Sequence, residues 1–171
     1  MDVADLLTDA FSRVGRTLHR AAAGLSESQR THRPDADANS IAWLTWHSAR
    51  VQDAQIAPLA GVEQVWTAQG WAARIGLPFS AAATGYGQSS DDVAQVDAPV
   101  EELLGYYDAV EAQTLEYLRR LAPEDLDVVV DESWDPPVTL GVRLVSILAD
   151  DLQHVGQAAY VRGLVERLPA S

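Results

Sequence analysis

Cysteine and lysine are both missing from this chain. The first absence excludes disulfides, thiolate metal sites and a cysteine nucleophile, so any thiol chemistry requires a thiol brought in from outside. The second leaves arginine as the only basic residue other than histidine. Its 12 copies face 25 acidic residues, for a net charge of −13. A field of that sign repels phosphate backbones and anionic lipid, and no basic run offsets it. Nucleic acid and membrane surface are therefore excluded as expected partners. Long hydrophobic runs are also missing: no stretch approaches the ~20 apolar residues of a membrane span. The start, MDVADLLTDAFSRVGRTL, is amphipathic and acidic and lacks the basic-then-apolar pattern of a secretion signal. By elimination the expectation is a cytoplasmic protein. The length of 171 residues suits one domain, 1–171, with a single core.

What the chain does contain is helical periodicity. Val3, Leu7, Ala10, Phe11, Val14, Leu18 and Ala21 recur at three and four, predicting a first helix from about Val3 to Gly24. The segment SESQRTHRPDADANS reads as a loop. A second helix begins near Asn39–Ser40, either of which can cap it, and runs to about Gln55–Ile56, with Pro58 and Gly61 as stops. The pattern then weakens up to about Ala98, with a short helix expected around Gln64 to Arg74 and a helical turn after Ser89. A connection that long usually covers or lines a site. The third helix follows Asp97 and Pro99 and ends before Pro123. The stretch LDVVVDESWDPPV is β-leaning and broken by proline, and a long fourth helix spans about Thr139 to Arg167. The predicted fold is all-α: a four-helix bundle with a long connection between helices two and three.

Polar residues interrupt two of these apolar stripes. His47 falls in the middle of the second helix's stripe, between Trp43, Leu44, Val51 and Ala54. A neutral imidazole buried there needs a partner, since leaving it unpaired costs about 1–3 kcal/mol. In the fourth helix, Asp150 and His154 are four apart and Asp151 and His154 three apart, so either pair can grip one cation. The helical wheel places Asp151 nearer the centre of the buried face and Asp150 at its edge. Spacing alone leaves two readings. One is a satisfied His154 with an Arg143–Asp150 ion pair along the helix. The other is a metal held by an inward histidine on helix two and an acid–histidine pair on helix four. Two imidazoles and a carboxylate suit zinc, nickel or iron better than magnesium or calcium.

The pieces NSIAWLTWHSARVQD, GWAARIGLP and DDLQHVGQAAYVRG, in that order, resemble the DinB-like superfamily of bacterial helical bundles. The resemblance implies a divalent-metal site and, commonly, a homodimer of four-helix bundles. It maps the metal ligands onto His47, Asp150 and His154, with Asp150 standing where relatives usually carry histidine or glutamate. Asp151 and Gln157 become supporting or substitute groups. Biochemically understood relatives, such as mycothiol-dependent maleylpyruvate isomerase, are thiol-dependent. The implied activity is transfer of a low-molecular-weight thiol to a small electrophile, or its isomerisation. Mycothiol is the expected thiol, since arginine-rich, lysine-free usage fits a GC-rich genome. The alternatives are a non-catalytic metal- or small-ligand-binding dimer and a metal-dependent hydrolase. No dedicated general base is evident, and no catalytic residue beyond the ligands is assigned. Arg50, one turn after His47, and Arg143 are candidates to hold a substrate carboxylate, and Tyr86 to line a pocket. For Arg50 the competing role is a surface ion pair with Asp53 or Glu101. His19 and His32 are expected at the surface.

Overall fold

The computed structural model describes residues 1–168. Four long helices form the bundle: α1 (Val3–Ala22), α3 (Ile41–Ala60), α7 (Val100–Leu118) and α8 (Leu140–Val165). α1 and α3 each pack against both α7 and α8, and scarcely touch one another across the bundle's diagonal. Short helices fill the connections: α2 (Glu27–Arg30), α4 (Val65–Ala68), α5 (Trp71–Ile75) and α6 (Ser90–Ala94). A 3-10 turn (Pro123–Asp127) leads into β1 (Val129–Asp131), which pairs antiparallel with β2 (Val138–Thr139). This is the all-α bundle that the periodicity predicts. Among the described residues no helix is long and apolar enough to cross a membrane.

The helix boundaries follow local chemistry. Asp2 and Asp5 cap α1 reciprocally, Ser40 caps α3 through the Trp43 amide, and Thr139 caps α8 through that of Val142. The loop expected after α1 contains the one-turn α2, opened by a Ser26–Gln29 capping box. α3 runs through Pro58 and stops at Gly61, whose φ of 68° ends the helix. A proline in the last turn forfeits little of the helix's hydrogen bonding, so glycine is the effective stop. The single helix expected around Gln64 to Arg74 is two, because Gly70 at φ 74° breaks it.

α3 is the unusual element. It is buried on nearly every side, from Ile41 to Asp53, although it carries Thr45, His47, Ser48, Arg50, Gln52 and Asp53. A bundle helix normally keeps a solvated face. Here the connection of residues 61–99 lies over that face, and the polar side chains hold it there. Asp53 accepts the amides of Val65 and Trp66 at 2.9 and 2.8 Å and the Tyr106 hydroxyl at 2.8 Å. On the inner side, Gln52 donates to Thr114 at 2.7 Å. The apolar core continues around them through Trp46, Tyr106, Leu18, Leu44 and Leu103. A smaller cluster of Phe11, Ile56, Leu118, Leu144 and Ile147 closes the other end.

Candidate metal centre

His47 on α3 and His154 on α8 meet edge to face, with ring centroids 4.7 Å apart and planes at 81°. Asp150 is one turn before His154, and its Oδ1 lies 3.6 Å from His154 Nε2. One donor atom from each of His47, Asp150 and His154 lies within 4.8 Å of the other two. Donors bound tetrahedrally to one ion at about 2.0–2.2 Å lie ~3.3–3.6 Å apart. The Asp150–His154 pair at 3.6 Å is at that spacing, and a side-chain movement of about 1 Å brings His47 to it.

The surroundings settle which nitrogen of His47 points inward. Its Nδ1 lies 2.6 Å from the Thr84 carbonyl, an acceptor only, so Nδ1 carries the hydrogen and Nε2 keeps its lone pair. Burial pushes the His47 imidazole below its ordinary range, the Thr84 bond opposing that and the nearby His154 adding to it. It is thus held neutral, as a metal ligand must be. Trp43 stacks on the ring at 4.4 Å with planes 16° apart, and itself donates to Gln88 at 2.8 Å. His154 Nδ1 bonds Gln157 Oε1 at 3.2 Å, leaving Nε2 on the Asp150 side. A partner on the outer nitrogen that fixes the inner one is the usual support of a metal-binding imidazole. Asp150 Oδ2 is buried with no hydrogen-bond partner among the described residues. Two imidazoles held through their outer nitrogens and a buried carboxylate oxygen fit a divalent cation, of the zinc, nickel or iron kind rather than magnesium or calcium.

His47 and Asp150, though not His154, line a cavity of about 450 Å³ between α3, α8 and the loop after α5. Val51, Ala54 and Gln55 form one wall, Arg143, Ser146 and Asp150 the other, and Thr84 and Tyr86 the rim. Tyr86 is 93% exposed and lines only the mouth.

Other residues singled out in the sequence take different places. Arg143 makes no bond to Asp150. It pairs with Asp131 of β1 at 2.6 Å and donates to Gln55 at 3.2 Å, because the crossing strand brings a carboxylate closer than its own helix does. Arg50 is neither at the surface nor in the cavity. Its side chain is 1% exposed, 3.6 Å from Asp53, and its donors are taken by loop carbonyls, Gln64 and Tyr106. It is therefore not free to hold a substrate carboxylate. His19 forms an exposed pair with Asp108 at 2.6 Å.

The two adjacent aspartates separate cleanly. Asp151 has zero exposure, faces the interior of the bundle, and neither of its carboxyl oxygens has a partner among the described residues. Burial, reinforced by the charge of Asp150, pushes its carboxyl well above the ordinary range. It does not join the group of three donors. Asp150→Asn is expected to weaken zinc binding at least ~10-fold, and Asp151→Asn to leave it within about twofold. Titrating both metal-free variants with zinc checks this; the opposite order would exchange their roles.

Sequence reasoning passed over two participants. Thr84 acts through its backbone, which no side-chain pattern reveals. Gly85 has φ 97°, and a Cβ there would lie 2.5 Å from His47 Nδ1 and 3.1 Å from Trp43. Its one signal is its place in the glycine-punctuated TGYG.

A family model described as mycothiol-S-transferase matches residues 6–167. A crystal structure of a conserved protein from Enterococcus faecalis is similar over almost all of both molecules. It superposes with a TM-score of 0.90 at 32% identity, covering 97% of this chain and 98% of that one. No curated protein matches.

Proposed function

Since the chain belongs to the mycothiol-S-transferase family, within the DinB-like superfamily, we propose that it transfers a low-molecular-weight thiol of the mycothiol type to a small electrophile. The thiol and electrophile would share the cavity above a divalent cation held by His47, Asp150 and His154. The observation that carries this is the convergence of three donor atoms, two of them on residues that line the cavity, in a chain with no cysteine of its own. A divalent cation bound there supplies positive charge that favours the deprotonated form of a thiol at neutral pH.

The chain's own residues do the rest. The Thr84 carbonyl and Gln157 orient the two imidazoles, and Trp43 shields one face of His47 from water. Val51 and Ala54 give the cavity an apolar wall for the electrophile's carbon skeleton. Arg143 stands seven residues before Asp150, about 10 Å along the helix. Its guanidinium is held in place by Asp131 and Gln55, and its remaining donors suit an anionic group on thiol or electrophile. The thiolate sulfur attacks the electrophilic carbon: the S–H bond has given its proton to solvent, a carbon–sulfur bond forms, and the bond from that carbon to its leaving group breaks, the leaving group departing to solvent with the electron pair.

A non-catalytic metal- or ligand-binding bundle is the second reading. In its favour, His47, Asp150, Arg143 and Tyr86 are the only titratable side chains among the cavity's lining residues, which leaves no dedicated general base. Hydrolysis would use the same donors with water in place of the thiol, and family membership favours the thiol. The reading extends to a homodimer. Val142, Val145, Ala149, Leu152, Gly156 and Tyr160 form an exposed apolar stripe along α8, of the kind that marks an interface.

The test begins with protein purified without a metal-affinity tag. Elemental analysis is expected to show about one divalent ion per chain, and light scattering the mass of two chains. Mycothiol, bacillithiol, glutathione and coenzyme A are then compared for consumption against an activated electrophile. Turnover with a mycothiol-type thiol supports the transferase; bound metal without turnover on any thiol leaves the binding bundle. Protein that neither carries nor takes up metal ends the transferase and the metal-binding bundle alike.

A further inference from the structure

We infer that Arg50 is a positioning residue for His47, acting through the long connection to set which imidazole nitrogen faces the cavity. Its guanidinium donates from Nε to the Ala83 carbonyl at 3.0 Å and from Nη2 to the Ala81 carbonyl at 3.2 Å. Nη1 reaches Gln64 at 2.9 Å and the Tyr106 hydroxyl at 3.1 Å. The Trp66 ring lies 5.0 Å beneath it. The Ala83 carbonyl belongs to the peptide unit that also contains the Thr84 nitrogen. Holding it fixes the plane immediately before Thr84, whose own carbonyl lies 2.6 Å from His47 Nδ1. Arg50 and His47 are neighbours on α3, one turn apart, so helix and loop are tied at two adjacent points.

The bonding demands a fork rather than a charge. Four acceptors in different directions, two of them backbone carbonyls of the same loop, match the five planar donors of a guanidinium. A lysine ammonium would still neutralise Asp53, but one nitrogen cannot span the Ala81 and Ala83 carbonyls and Gln64 together. That separates the positioning role from mere neutralisation of a buried acid. With the loop unbraced, the Thr84 carbonyl no longer dictates the tautomer, and His47 would divide its hydrogen between both nitrogens. Only one of those forms presents a lone pair from Nε2.

The experiment reads the tautomer directly. In metal-free protein with nitrogen-15 histidine, His47 of the parent chain is expected as the Nδ1–H form alone. Arg50→Lys is expected to keep the helical circular dichroism of the parent, to show both tautomers, and to bind zinc ~10–100-fold more weakly. A folded Arg50→Lys protein with the Nδ1–H form alone and parental zinc affinity would overturn the inference. Should that variant not fold, Arg50→Met with Asp53→Asn removes both buried charges at once, leaving none uncompensated, and the same readings decide. The affinity arm rests on the metal reading above; the tautomer arm does not. Failure of the parent protein to bind zinc would end that reading while the tautomer still judges Arg50.

Discussion

Gly85→Ala is expected to cost zinc binding and stability together, whereas Gly87→Ala costs stability alone. Both glycines have positive φ, 97° and 71°, so an alanine at either is strained by about 1–3 kcal/mol. The two differ in what the new methyl group meets. At Gly87 there is nothing within 4 Å. At Gly85 the methyl carbon would sit 2.5 Å from His47 Nδ1, inside any permitted contact, with the Trp43 ring 3.1 Å away on the same side. Trp43 and His47 are stacked on each other and buried, so neither can step aside without the other. The loop must lift, and the Thr84–His47 bond lifts with it. Zinc affinity is expected to fall at least ~10-fold in Gly85→Ala and to stay within about twofold in Gly87→Ala. Denaturant unfolding and zinc titration of the pair check both halves. Equal zinc affinity in the two variants would show that the loop does not govern the imidazole.

His154→Ala is expected to leave a folded bundle that no longer responds to metal. The side chain is partly exposed and its hydrogen bond is to Gln157 on the same helix, so removing it leaves no large cavity. The site loses one of its two nitrogen donors, and a histidine and an aspartate remain. In the parent chain, zinc at a hundredfold excess over its Kd adds about 2.7 kcal/mol to the folded state. For a chain of this size that raises Tm by roughly 5–10 °C. The variant should show none of that rise, with a metal-free Tm close to the parent's. Thermal unfolding with and without zinc measures it. A full zinc-dependent rise in His154→Ala would remove this histidine from the metal site and the transferase reading with it.

How much of this was legible beforehand varies from residue to residue. The four long helices follow from apolar spacing and caps, because a helix must bury one stripe wherever it lies. Asp151 at the centre of α8's buried face is where the helical wheel puts it. That Asp150 rather than Asp151 groups with the histidines was indicated by resemblance and not by the wheel. The donors lie between two helices, with Asp150 at the edge of α8's stripe, and a wheel drawn for one helix cannot see the other. Arg50 shows the limit from the other side. By spacing it belongs one turn from His47, near a site mouth. Its burial depends on thirty-odd residues of weakly patterned connection folding back over α3, which no local rule anticipates. Arg143 met Asp131 instead of Asp150 because β1, twelve residues back in the segment that leads into α8, turns its carboxylate onto the guanidinium.

The amino-acid sequence alone therefore decided the helices, the want of an internal thiol, the acidic surface, and the placing of His47 and His154 on inward faces. Those depend on periodicity and composition, which act over a few neighbouring residues. Tertiary structure decided how close Asp150 comes to the two histidines, which nitrogen of His47 is left free, and that Arg50 grips a loop instead of a substrate. Each of these depends on backbone carbonyls and partners brought in from more than thirty residues away, and such contacts exist only after the chain has closed on itself.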